Sequence, residues 1–159
     1  MVLQTNVSRG SVPKLPVPEM HLEKTGADGD SHAHPQFHGG PRQAVLLIAA
    51  EVIDELKALG FPVFPGALGE NITTRGLDCR EWRIGQNWRI GADVVVEFTK
   101  VRVPCQTLSV YGPGIQAAIY DARVKAGDTS SPKWCASGMY ASIVTPGTIR
   151  PGDSVVACK

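Results

Sequence analysis

"ADVVVEFTKVRVPC", Ala92 to Cys105, is the stretch on which the reading of this chain turns. Its valines, with Phe98 and Thr99, carry the β-branched and aromatic content of a strand. Pro104 then fixes its own φ and biases Val103 toward an extended conformation, so the Cys105 thiol is held in a well-determined place. On strand geometry Lys100 and Arg102 share a face, and a nearby cation favours the reactive thiolate over the thiol. Two readings stand side by side. Cys105 is a small residue packed in the core, as free cysteines commonly are, or it is a ligand or nucleophile on a rigid ledge.

Outward from this strand, the chain breaks into short elements. "VLQTNVS", Val2 to Ser8, is a first strand, followed by "RGSVPKLPVPE", whose three prolines make it extended and non-helical. "QAVLLIA" ending at Ala49 is a buried strand. "AEVIDELKALG" from Ala50 places Val52, Ile53, Leu56 and Leu59 on one helical face, with Gly60 as the C-terminal cap and Pro62 blocking continuation. "FPVFPGALGENITTRGL" reads as a loop. "EWRIGQNWRIG" repeats W-R-I-G from Trp82 and from Trp88, two short strands or turns each ended by glycine. "GIQAAIYDARVKAG" from Gly114 predicts a helix, and "MYASIVTPGTIRPGDSVVAC" predicts two short β pieces, with a turn at Pro151-Gly152-Asp153 before a final strand. The sum is a mainly β chain, a β-barrel with a few inserted helices and α+β by content, forming one domain over residues 1–159.

Composition narrows the function. Charged residues are 19% and the net charge is +1, so no polyanion or nucleic-acid surface is expected. The longest apolar stretch, Ala44 to Ala50, is too short to cross a bilayer, and the N-terminus has neither signal-peptide nor membrane-span character. Cys79, Cys105, Cys135 and Cys158 form no C-x-x-C pair, which argues against a zinc ribbon or a thioredoxin-like motif and for reduced thiols in a cytoplasmic protein. No G-x-S-x-G elbow and no Walker loop occur.

Two loops carry further chemistry. "DSHAHPQFHGG" holds His32, His34 and His38 with Asp30 nearby; at no established metal spacing it reads as a solvated histidine loop, with a zinc site as the alternative. In the same segment Gly39 and Gly40 let the backbone approach a ligand with its N–H groups exposed. "PGALGEN", Pro65 to Asn71, either offers backbone amides and the Asn71 side chain to a flat heterocycle or phosphate, or forms a tight turn with Glu70 paired to an arginine.

Taken in order, these pieces resemble the MOSC family, named after the C-terminal domain of molybdenum cofactor sulfurase. The matching residues are Ser8-Arg9-Gly10, Val12-Pro13-Lys14, Gly29-Asp30, His38-Gly39-Gly40, Pro65-Gly66-Ala67 and Gly69-Glu70-Asn71. Gly85, Gly91, Arg102 with Pro104-Cys105, and Gly152-Asp153 complete the set. The resemblance implies a stand-alone β-barrel domain that binds the molybdenum cofactor, a pterin dithiolene with a phosphate. It assigns Cys105 as the catalytic residue, either a thiolate ligand of molybdenum or a sulfur carrier. It places His38, Gly39, Gly40, Arg42, Gly69, Glu70, Asn71 and Arg102 around the cofactor. The family usually continues H-G-G-x-[DE]-[KR]-A, whereas this chain reads Pro41-Arg42-Gln43-Ala44, and Ser11 stands where a second glycine is common. The implied activities are reduction of N-hydroxylated compounds, or sulfur transfer for cofactor or metal–sulfur cluster assembly. Both need a partner, an electron-donor protein or a cysteine desulfurase, because the chain shows neither a pyridoxal-phosphate desulfurase domain nor flavin, haem or Fe–S ligation signals. The competing reading is a non-catalytic β-barrel binding module with Cys105 in its core.

Overall fold

The computed structural model describes residues 1–32 and 40–159. The chain begins with β1 (Val2–Val7), β2 (Arg9–Gly10), β3 (Leu15–Val17), β4 (Met20–Glu23), β5 (Gly26–Ala27) and β6 (Ser31–His32). A 3-10 turn at Pro41–Gln43 leads to β7 (Val45–Ala49), α1 (Ala50–Ala58) and β8 (Ile72–Thr74). Then come β9 (Asn87–Ile90), β10 (Val94–Val101), α2 (Ile115–Ile119) and α3 (Ala122–Lys125). β11 (Met139–Thr145), β12 (Gly147–Ile149) and β13 (Val155–Ala157) close the chain.

Eight strands form the main sheet in the order β13-β9-β10-β11-β7-β8-β1-β3. All its pairings are antiparallel except β7 with β8, which run parallel because α1 carries the chain back across the sheet between them. β7 is buried at every position, as a central strand covered on both faces must be. Two small sheets flank this one, β12-β4-β5 and β2-β6. Hydrogen bonding does not close the main sheet into the expected barrel, since β13 and β3 remain its edges. The turn that precedes β13 nevertheless reaches the start of β1: Val2 N–H donates to Asp153 O (2.8 Å) and Gly152 N–H donates to Val2 O (2.8 Å).

Several local expectations hold, and several fail for identifiable reasons. α1 buries Val52, Ile53 and Leu56 and stops where Gly60 takes φ 95°, but Leu59 lies past the last turn and is 69% exposed. Ile72–Thr74, read as loop, is a fully buried strand: three residues are too few for a periodicity, and the pairing with β7 and β1 makes it. The helix expected from Gly114 is two pieces, because Tyr120 is extended and the Asp121 carboxylate caps a new start by accepting from Val124 N–H (2.9 Å). The first W-R-I-G is a turn and the second is β9. The closing segment forms β11, β12 and β13, the last of them after the turn at Pro151-Gly152-Asp153.

β10 places the site. It pairs with β9 and β11, and its register against β11 shifts between Phe98 and Lys100, a bulge at Thr99. A bulge bends its strand and re-aims the side chains beyond it. Here those side chains are Lys100, Arg102 and Cys105.

Candidate functional site

Arg102 leaves the end of β10 with its backbone N–H on Gly138 O (2.9 Å). Its guanidinium turns inward, donating from Nε to Ser137 O (2.7 Å) and from Nη1 to Leu68 O (2.6 Å), and the residue is only 6% exposed. One arginine therefore joins the loop before β11 to the glycine loop before β8. Nη2 is buried and has no partner among the described residues. Burial pulls the pKa of this group down, while the fields of Tyr140, Cys105 and Glu70 favour the cation.

Pro104 then turns the chain outward. Cys105 is half-buried, not part of the core, and it opens a 3-10 segment over Gln106–Tyr111. Its Sγ hydrogen-bonds the Thr107 hydroxyl (2.6 Å). Gln116 of α2 donates to the Cys105 carbonyl (3.3 Å) and to Ser109 Oγ (3.1 Å), so α2 steadies the ledge from behind. The other three thiols sit differently. Cys79 and Cys135 are buried, desolvation pushes the Cys79 thiol up to about 12 and Cys135 shifts the same way, while Cys158 is exposed near the C-terminus. All four are free, so no disulfide framework exists.

Next to Arg102 lies a dry polar layer. Lys14 Nζ donates to Asp30 Oδ2 (2.6 Å), with side-chain exposures of 8% and 4%. Asp30 also accepts from Ser8 N–H (2.8 Å) and Asn71 Nδ2 (2.8 Å). Burial draws the Lys14 pKa down against the opposing pull of Asp30. Asn71 Oδ1 accepts from Leu46 N–H (3.1 Å), so this side chain fastens β7 to the loop. Glu70 is fully buried; Oε1 accepts from Gly66 N–H (2.6 Å) and Thr73 Oγ1 (2.9 Å), while Oε2 has no partner among the described residues. Burial raises the Glu70 pKa. The glycines are required here: a Cβ on Gly66, at φ +94°, would lie 2.2 Å from Lys14 O, so only glycine admits the 8–14 loop.

The predicted residues thus divide into groups. Arg102 and Cys105 follow the end of β10 with the guanidinium turned inward and the thiol half-buried, close enough for the thiol's field to reach the guanidinium. Gly69, Glu70 and Asn71 lie beside Arg102, but Glu70 and Asn71 spend their side chains on internal bonds; the loop is the tight turn of the second reading, with Gly66 N–H and Thr73 in place of an arginine partner. Arg42 is exposed, and its carbonyl accepts from Thr99 Oγ1 at the bulge, which brings the Gly40–Gln43 turn to the same end of β10. His34, His38 and Gly39 lie outside the described residues. Asp30, the suggested fourth zinc ligand, is occupied by Lys14, Asn71 and Ser8, and no group of three metal-ligating side chains occurs among the described residues. Sequence reading gave no role to Lys14, Ser137 or Tyr140. Lys14 was present in the Val12-Pro13-Lys14 match, but nothing in a sequence marks a lysine as buried. A cavity of about 140 Å³ between α1, α2 and the 132–136 segment contains none of the predicted site residues.

Together these features define a mostly β domain that presents one half-exposed cysteine beside a buried arginine and a buried ionic layer. Residues 34–156 match the family model of the MOSC domain, and the chain belongs to that family. It is 28% identical over 135 residues to the uncharacterized protein YflK of Bacillus subtilis, covering 84% of this chain but only 56% of YflK. The fold matches the crystal structure of YiiM from Geobacillus stearothermophilus (TM-score 0.71, 22% identity, all of this chain and 75% of that one). It also matches YuaD from Bacillus subtilis (TM-score 0.68, 17% identity, 97% of this chain and 92% of that one).

Proposed function

We propose that this chain binds the molybdenum cofactor and uses Cys105 either as a thiolate ligand of molybdenum or as the carrier of a transferable sulfur. The observation that carries the reading is the pairing of a half-exposed thiol on the Pro104 ledge with a buried arginine that has an unfilled donor. The donor set fits the group: a thiolate is a soft ligand suited to such a metal, and a buried guanidinium suits an anionic oxygen substituent. When bound, the cofactor supplies a redox-active metal in a sulfur-rich setting. The rest falls to this chain. Cys105 provides the sulfur, and the Gln116 and Thr107 hydrogen bonds fix its position. Arg102 offers Nη2, the turn at Gly40 to Arg42 forms part of the rim, and Gly69 lets the backbone of its loop come close. Glu70 and Asn71 hold that loop.

On this reading the protein is a cytoplasmic component of a larger system. Reduction of N-hydroxylated compounds requires an electron-donor protein, and sulfur transfer requires a cysteine desulfurase to load Cys105. Because the chain spans about half the length of YflK, its substrates and partners rest on this proposal alone. The alternative, an inert binding module with Cys105 in the core, is weakened by the exposure of that residue.

Anaerobic purification from a molybdenum-replete host, with metal and pterin analysis, tests the proposal. Pterin and molybdenum should co-purify with the wild type. Cys105→Ser should lose molybdenum if the sulfur is a ligand, or lose a persulfide seen by mass spectrometry if it is a carrier. Absence of pterin and molybdenum, or equal molybdenum loading of both proteins with no persulfide on Cys105 of the wild type, would overturn it.

A further inference from the structure

The buried charges near Arg102 do not balance in the usual way. Lys14 and Asp30 form a close pair and neutralise each other. Arg102 has no carboxylate within ion-pair distance among the described residues; its two bonds go to the Ser137 and Leu68 carbonyls, and Nη2 goes unmet. Glu70, the carboxylate whose field reaches it, is held beside the same glycine loop with Oε2 unmet. Two orphan atoms of opposite character in one dry region mark unused binding capacity, since buried polar groups are nearly always partnered.

The geometry of Glu70 says which of its oxygens is free to take a proton. Oε1 already accepts from Gly66 N–H and Thr73 Oγ1, so a proton on Oε2 leaves both bonds intact. With Glu70 neutral, Arg102 is a buried cation with a free donor and no counter-charge, which is what an anionic oxygen group requires.

We propose that Arg102 and Glu70 form a proton-linked anion site, in which an anionic oxygen group docks at Arg102 Nη2 together with a proton on Glu70 Oε2. This rests on the reading that Arg102 faces a ligand, and it adds the regulation of that contact. The ligand chemistry is that of a tetrahedral oxyanion, whether free or as the phosphate monoester of a bound cofactor. The groups facing the pair come from several elements: Lys14 and Asp30 from the N-terminal loops, Tyr111 from the segment after Cys105, and Cys105 and Tyr140 on the Arg102 side. Thr73 of β8 and Asn6 of β1 complete the surround without charge. Burial already lifts the Glu70 pKa, and a docked anion lifts it further. Affinity must then rise as pH falls, by up to about tenfold per pH unit between the Glu70 pKa of the free form and that of the bound form.

Inorganic sulfate is the probe, titrated calorimetrically against cofactor-free full-length protein across pH, with carboxyl-carbon NMR reporting Glu70. Sulfate affinity should rise as pH falls in the wild type and be flat in Glu70→Gln, and sulfate should move the Glu70 titration to higher pH. Repeating the titration on cofactor-loaded protein separates the sources: loss of sulfate uptake assigns the site to the cofactor phosphate, and retained uptake to a free oxyanion. Equal pH slopes in wild type and Glu70→Gln, a Glu70 signal unmoved by sulfate, or no sulfate uptake at any pH would overturn the inference. If pterin co-purifies but the slopes are equal, only this linkage falls; if the linkage holds without pterin, the cofactor reading falls.

Discussion

Phe98 and Arg102 stand on β10 and its continuation with almost no solvent exposure, 0% and 6%, yet their surroundings are built on opposite principles. Phe98 packs against Trp82 (ring centroids 5.1 Å apart) and Trp88 (5.7 Å), and Cys79, Cys135 and Trp134 hydrogen-bond the backbone of Trp82. That end is stabilised by burial, roughly 25 cal/mol per Å² of apolar surface, and burial has no direction. The Arg102 end contains Lys14, Asp30, Glu70 and Asn71, each of which loses its hydration on folding and recovers it only through specific partners. Orphans mean different things in the two places. Trp82 Nε1 is unpartnered in the aromatic cluster, a neutral N–H costing about 1–3 kcal/mol. Arg102 Nη2 belongs to a cation, and so points to a missing charge. A stability argument accounts for the aromatic end apart from that one N–H; at the polar end the open donor is the atom the proposed anion would meet.

The sharpest way to break this contrast is to remove one charge of the Lys14–Asp30 pair. Asp30→Ala strands a buried ammonium and should cost about 3–5 kcal/mol in urea denaturation. Adding Lys14→Met should recover part of that loss, because removing both charges leaves nothing unpaired. A cost below about 1 kcal/mol, or no recovery in the double variant, would mean the layer is wetter than it looks. Next in size is Gly66→Ala, in which the new methyl meets Lys14 O and the backbone is left-handed; roughly 2–3 kcal/mol should be lost by the same measurement. Phe98→Leu, at the apolar end, should cost only about 1 kcal/mol because its neighbours can repack around a similar volume.

The same contrast explains what sequence could show. Apolar patterning is local, so β1, β7, α1 and β10 are visible as short runs, and the P-C ledge follows from proline geometry alone. The polar layer brings together Lys14, Asp30, Asn71 and Arg102 from four separate stretches, and no local pattern reports that meeting. Glu70 and Asn71 show the cost most clearly: an acid and an amide after glycine suit ligand contact on paper, but the fold spends both side chains on bracing. β8 was invisible for a related reason, since three residues become a strand only through partners on β7 and β1.

The smallest effect at neutral pH separates the thiols of the two ends. Cys105 and Cys158 should be alkylated by iodoacetamide in the native protein, while Cys79 and Cys135 stay unmodified because neither is accessible. Desolvation holds the Cys79 thiol near 12 against 9.0 for a free thiol, so the unfolded chain loses this proton first as pH rises. The contribution of Cys79 to stability is therefore fully present below pH 9.0 and is lost as pH climbs through about 12. Urea midpoints followed across that window should fall steeply in the wild type. In Cys79→Ala the fall should be shallower but not abolished, because Cys135, Tyr111 and Tyr140 shift in the same direction. An unchanged slope, or alkylation of Cys79 at the rate of Cys105, would show that the aromatic end opens to water as readily as the ledge.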